Sequence, residues 1–188
     1  MKIKMTLLSD AIFGNGISVP GEEDISVQCD AHGFPFYRGS TFKGVFREKL
    51  IQLMDFEGYD ARQKDQEVVR LLGQPGSNLA LQGLIFTDFT LSGHVRHRVI
   101  EEMGDGNSEE ILQVLTNTRT FTALDENGMV KEGTLRVARC VNKGLVFYSS
   151  IDGVQPDDLE RVRTTLGMIK WLGTMRNRGF GKVRVEEV

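Results

Sequence analysis

Two hydroxyls and two cations open the one stretch of this chain best suited to holding a phosphate. It reads Gly39-Ser40-Thr41-Phe42-Lys43-Gly44, followed by Val45-Phe46-Arg47. Ser40 or Thr41 can cap a helix here by accepting a backbone N–H bond, and the remaining free amides of the first turn then carry partial positive charge outward. A phosphate suits that end of a helix. Lys43 and Arg47 lie four apart and so share a side, where a point charge and a forked guanidinium can meet the same or neighbouring phosphates. The same letters also describe an ordinary capped surface helix.

A second basic stretch lies near the other end, Gly173-Thr174-Met175-Arg176-Asn177-Arg178-Gly179-Phe180-Gly181-Lys182. From Lys170 to Arg184 there are five cationic residues and no acid, so local potential is positive within a chain of net charge -3. Glycines let a backbone approach phosphates closely, Arg176 and Arg178 can fork onto them, and Phe180 or Trp171 can stack on a base. Trp171 is expected in the core, as a lone helix aromatic usually is.

The 188 residues suit one domain, and 40% apolar with 26% charged content argues against disorder and fibres. Any polyanion site must be a local patch, because the whole chain is acidic. Cys29 and Cys140 make no disulfide framework, and the apolar run from Met5 to Leu8 is too brief for a signal peptide. A reduced, cytoplasmic protein is expected.

The elements that must carry these stretches follow from periodicity. Ile3, Met5 and Leu7 alternate with polar residues as a half-buried strand does, and Ile25, Val27 and Cys29 resume alternation after a long Gly-rich loop. Phe42, Val45, Phe46, Leu50 and Leu53 predict a helix fading near Asp55 to Gly58; Asp65 to Leu72 predicts a short second one. Leu79, Leu81, Leu84, Phe86 and Phe89 suggest strands around Gly83. Residues 91–110 read as a mobile insertion, with His94, Arg96, His97 and Arg98 ahead of an acidic run. Arg119 to Leu124 and Thr134 to Val141 predict a hairpin turning at Asn127-Gly128. Leu145 to Ile151 predicts a strand, Pro156 opens a last helix through Leu172 to Gly173, and Val183 with Val185 ends the chain in a strand. Strand, helix, strand, strand, helix, strand is the α+β order of a ferredoxin-like (RRM-like) core, here with an inserted β-hairpin and a Gly-rich C-terminal loop.

In chain order these features resemble the RAMP superfamily of CRISPR-associated proteins, and most of all a repeating backbone subunit of type III effector complexes. The matching stretches are the early Gly-rich loop, Asp30 to Gly33 before Phe34-Pro35, Gly39 to Gly44 with Arg47, Leu71-Leu72-Gly73, Gly83 to Phe89, and Arg178 to Lys182. Arg38 departs from the pattern, standing where the family commonly has proline. The resemblance implies guide RNA held on its backbone by Ser40, Thr41, Lys43 and Arg47, with Arg176, Arg178 and Lys182 lining the neighbouring surface. It also implies a projecting thumb hairpin, other effector subunits as partners, and copies stacked along the guide. Sequence would be read by base pairing with a complementary target RNA. In some relatives a loop aspartate helps cleave that target with Mg²⁺, and the match falls on Asp24.

Three other functions fit parts of the chain. A metal-independent guide-processing endoribonuclease of the same superfamily would use a His as general base, with His32, His94 and His97 as candidates. A purely structural RNA-binding subunit differs from a cleaving one by little more than Asp24. His94 and His97 as metal ligands lack cysteines nearby and would need Glu101, Glu102 or Asp105. A nucleotide-binding enzyme is disfavoured, since neither Gly14 to Gly16 nor Gly179 to Gly181 has P-loop spacing.

Overall fold

The computed structural model describes residues 1–14, 16, 24–74, 83–104, 107–123, 126–131 and 133–188. Expectations resting on Asn15, Pro20 to Glu23, Pro75-Gly76, Leu79, Leu81, Asp105 and Leu124-Asp125 lie outside these residues. In chain order the elements are β1 (Lys2–Leu7), α1 (Gly39–Phe56), α2 (Ala61–Leu72), β2 (Ile85–Phe86), β3 (Thr90–Leu91), α3 (Gly93–Met103) and α4 (Ser108–Leu115). There follow β4 (Thr116–Phe121), β5 (Arg136–Val141), β6 (Val146–Asp152), α5 (Leu159–Met168) and β7 (Val183–Glu187).

The main sheet runs β2-β6-β1-β7, with β3 also on β6, and every pairing is antiparallel. Alternation decides which face is covered: Ile3, Met5 and Leu7 of β1 and Phe147 and Ile151 of β6 are buried, as are Val183 and Val185 of β7. Phe42, Phe46, Leu50 and Met54 form the apolar stripe of α1, and Val162 and Leu166 that of α5; these residues join one core. Aromatic contacts seat α1 on the sheet, Phe42 lying 4.5 Å from Phe89 and Phe46 5.2 Å from Phe86.

A second, two-stranded sheet stands apart. The hairpin β4–β5 pairs Thr116 with Val141 through Phe121 with Arg136. It meets the body through the Ala11–Val141 bridge and the Ile25–Ala138 bridge. Its connection, 122–135, is much longer than a two-residue Asn-Gly turn.

One expected boundary shifts. The last helix ends at Met168, because Ile169 turns extended (ψ 103°) and the chain returns as a ribbon: Leu172 donates to the Gly181 carbonyl, Val183 to that of Lys170, and Trp171 bridges Lys182. Ile169 and Leu172 are buried all the same, so the helical spacing reported burial beyond the helix. Residues 91–110, expected as an insertion, contain α3 and the start of α4. Arg96 of α3 pairs with Asp30 at 2.6 Å and lies over the Phe34 ring. Gly33 (φ 83°) leaves no room for a side chain, since a Cβ would fall 1.9 Å from the Ser108 carbonyl oxygen.

Candidate nucleic-acid interface

Helix α1 begins one residue before the predicted cap. Arg38 occupies the N-cap position with no side-chain cap, so Ser40 and Thr41 stand inside the first turn as exposed helical residues. The capping role expected of them is supplied from elsewhere: the Gly39 N–H donates to Asp88 Oδ1 at 2.7 Å. Only glycine fits there, because a Cβ would lie 2.2 Å from the Phe86 carbonyl oxygen. Asp88 thus anchors the helix start to the sheet, a role no local spacing announces.

At 100° per residue, α1 splits the expected contacts between two flanks of its buried stripe. On one flank Lys43 and Arg47 line a cleft of about 210 Å³ with Leu72, Gly73 and Gln74. Partial burial lowers the Lys43 ammonium below its ordinary value. On the other flank Thr41 lines a cavity of about 280 Å³ with Arg38, Tyr37, Gln28, Gly173 and Arg176. The structure therefore brings the helix start together with the Gly-rich loop. Burial pushes the Tyr37 phenol up to about 12, against a backbone hydrogen bond from Gly173 and the nearby Arg176 charge.

That loop is held by main-chain geometry. Gly173 (φ 78°) and Gly181 (φ 76°) both exclude a side chain, whose Cβ would lie 2.4 Å from the Ile12 oxygen and 1.8 Å from the Leu172 oxygen. Between them, Met175 (φ 53°) is the one non-glycine residue with positive φ among the described residues. Such backbone is costly, and it gathers at functional sites. Arg176 and Arg178 sit in a 3₁₀ turn, exposed, and Lys182 is exposed beyond it. Trp171, expected in the core, is 36% exposed, and it lines an open cleft with Lys49, Gln52, Lys170 and Arg176.

Ion pairs are sparse on this face. Among the described residues, Arg38, Lys43, Arg47, Arg176, Arg178 and Lys182 have no carboxylate within ion-pair range. Elsewhere Arg70, Arg96, Arg161 and Arg163 are each paired, at 2.6 to 3.2 Å. Six unneutralised cations on α1 and one loop give a local positive field of the kind a polyanion backbone needs.

Asp24 is placed on the hairpin. Its N–H donates to the Val137 carbonyl and its Oδ2 accepts from the Val137 N–H, both at 2.8 Å; Arg136 approaches Oδ1 at 3.3 Å. The carboxylate is 35% exposed. His32 is exposed in the turn after Asp30, while His94 and His97 lie exposed on α3, His97 within 3.1 Å of Glu101. Among the described residues no three His, Cys, Asp or Glu side chains converge as a metal cage would. Cys29 and Cys140 are free thiols, and burial pushes Cys140 up to about 12. No described helix is long and apolar enough to cross a membrane.

A family model described as the RAMP superfamily matches residues 4–184, nearly the whole chain. The chain belongs to the RAMP superfamily. Among solved structures, this RAMP chain is similar to a chain of the type III-B Cmr-beta bound to cognate target RNA. The TM-score is 0.72 at 14% identity, over 98% of this chain and 95% of that one. A chain of the apo Cmr-beta structure gives 0.71 and 14%, over 100% and 96%. At that identity the likeness concerns the fold. No curated protein matches the chain.

Proposed function

We propose that this RAMP protein is a guide-RNA-binding backbone subunit of a type III ribonucleoprotein complex. The observation that carries the proposal is the set of cations without ion pairs on α1 and the Gly-rich loop: Arg38 and Arg176 line the shared cavity beside Glu48, and Lys43 and Arg47 line the cleft on the other flank of α1. The strand order β2-β6-β1-β7, with α1 and α5 over one face, supports a ferredoxin-like core of the RRM kind. The similar chain comes from an assembly bound to target RNA. In this reading the phosphates meet Ser40, Thr41, Lys43, Arg47, Arg176, Arg178 and Lys182, and the bases stay free to pair. Lys43→Ala or Arg47→Ala should weaken guide binding whatever the base sequence. Each lost phosphate contact should flatten the slope of log affinity against log salt by roughly 0.7. An unchanged slope and affinity in a folded variant would reduce the motif to a surface helix.

Cleavage of the paired target is a second proposal, carried by Asp24. Its two bonds to Val137 fix a partly exposed carboxylate on the hairpin. One carboxylate fits a magnesium ion shared with RNA phosphates, which keeps several waters; it does not fit a protein-only cage. Bound there, magnesium would neutralise charge developing at the phosphate. In the cleavage itself the 2′-hydroxyl oxygen bonds to the adjacent phosphorus as the P–O5′ bond breaks. A cyclic phosphate and a protonated 5′-hydroxyl remain. Asp24→Asn keeps the size and removes the charge, so the assembled variant should bind matched target and lose magnesium-dependent cuts. Undiminished cutting would take Asp24 out of the site.

A further inference from the structure

The Gly-rich loop and the hairpin touch through two aromatic rings that are not among the phosphate contacts, and through Arg178, which is. Phe180, between Gly179 and Gly181, meets Phe121 at the end of β4 edge-to-face, with centroids 5.5 Å apart and planes at 71°. The Arg178 guanidinium lies 5.8 Å from the same Phe121 ring. Met175, Ile25 and Phe180 pack partly buried around Ile12, Ala138 and Cys140, so the contact continues into a small apolar cluster under the hairpin. Phe180 has little freedom to leave. Gly181 is pinned by its N–H on the Asp10 carbonyl at 2.7 Å, and its neighbour Lys182 donates to Ser9 Oγ at 2.9 Å.

Asp24 belongs mechanically to the same unit. Its bonds go to Val137, the next residue Ile25 bridges Ala138, and Arg139 donates to the Ile25 carbonyl at 3.0 Å. Asp24 and Ile25 are thus tied to β5 by a parallel bridge, and β5 is paired along its length with β4, which ends in Phe121. A shift of Phe121 moves β4, β5 and Asp24 together.

We propose that Phe121 and Phe180 are positioning residues: their contact lets the guide-engaged Gly-rich loop fix the hairpin, and through it the place of Asp24 relative to the paired target. This rests on the cleavage proposed above for Asp24. Neither ring touches the reacting atoms. Arg178 links the two ends, since it belongs to the loop that meets guide phosphates and lies over the ring that sets the hairpin.

The test uses the assembled complex with guide and matched target. Phe121→Ala should bind guide within about twofold of the parent, because Phe121 lies outside the phosphate contacts. Its cuts should fall at least tenfold in rate or scatter in position, and Phe121→Tyr, which restores a ring, should return both. Parent rates and positions in Phe121→Ala would overturn the proposal. If the parent complex makes no cuts, the cleavage reading falls separately, and hydrogen exchange then decides the clamp. Guide should slow exchange of the Asp24 and Val137 amides in the parent and in Phe121→Tyr, and fail to do so in Phe121→Ala, while β1 amides stay protected in all three. Equal slowing in every variant would overturn it.

Discussion

Asp10 shows how much one carboxylate organises. Its Oδ1 accepts from the Lys143 N–H at 3.0 Å, and its Oδ2 from Arg119 at 3.0 Å and from Asn117 at 3.3 Å. Its carbonyl accepts from Gly181. The base of the hairpin and the root of the Gly-rich loop meet on this residue. Partial burial raises its pKa, but the Lys143 N–H, Arg119 and Asn117 outweigh that and hold it below its usual 3.8. A depressed folded pKa adds stability that is present above 3.8 and is lost as pH falls through the folded value. Asp10→Asn should therefore cost about 1 to 2 kcal/mol near neutral pH, in the range of charge-assisted hydrogen bonds. The deficit should shrink as pH falls below 3.8, where the unfolded parent takes up the proton, toward the lowered folded value. Denaturant melts at pH 7 and pH 3 check this, and an equal deficit at both would contradict it. Nothing in the sequence near Asp10 marks it, since its partners lie over a hundred positions away.

Among the elements, α1 was legible and its seat was not. The repeat of Phe42, Phe46 and Leu50 announces a helix with one buried face, and the alternation in β1, β6 and β7 announces half-covered strands. What closes the helix start is tertiary: Asp88 takes the Gly39 amide, and the Phe86 and Thr87 carbonyls crowd the Gly39 α-carbon. Local spacing saw hydroxyls and assigned the cap to Ser40 or Thr41. Likewise the C-terminal helix looked four residues too long, because Ile169 and Leu172 are buried by a ribbon that pairs with distant residues. Of the candidate site, the cations were readable from type and spacing. Their division between two flanks, and the hold of the hairpin on Asp24, depend on packing that spacing does not encode. Gly39→Ala should destabilise the fold by about 1 to 3 kcal/mol through overpacking at the sheet. It should also weaken guide binding more than its lost stability explains, because Thr41 and Lys43 move with the first turn. A thermal melt paired with guide titration measures both, and a parent-like result in each would refute the crowding argument.

At the scale of the molecule, an acidic chain sets, among the described residues, a group of cations without ion pairs on α1 and the Gly-rich loop, against its net negative charge. That division suits a protein that recognises the shape and charge of a backbone while leaving bases to a partner strand. The guide-binding role proposed above predicts that each copy covers a fixed length of guide and leaves the next length to another copy. The most direct test is light scattering of the protein mixed with guides of graded length. The mass should rise in steps of one protein copy as the guide lengthens, and Lys43→Ala with Arg47→Ala should suppress the steps. A mass that stays at one copy whatever the RNA length would contradict a repeating guide-binding subunit.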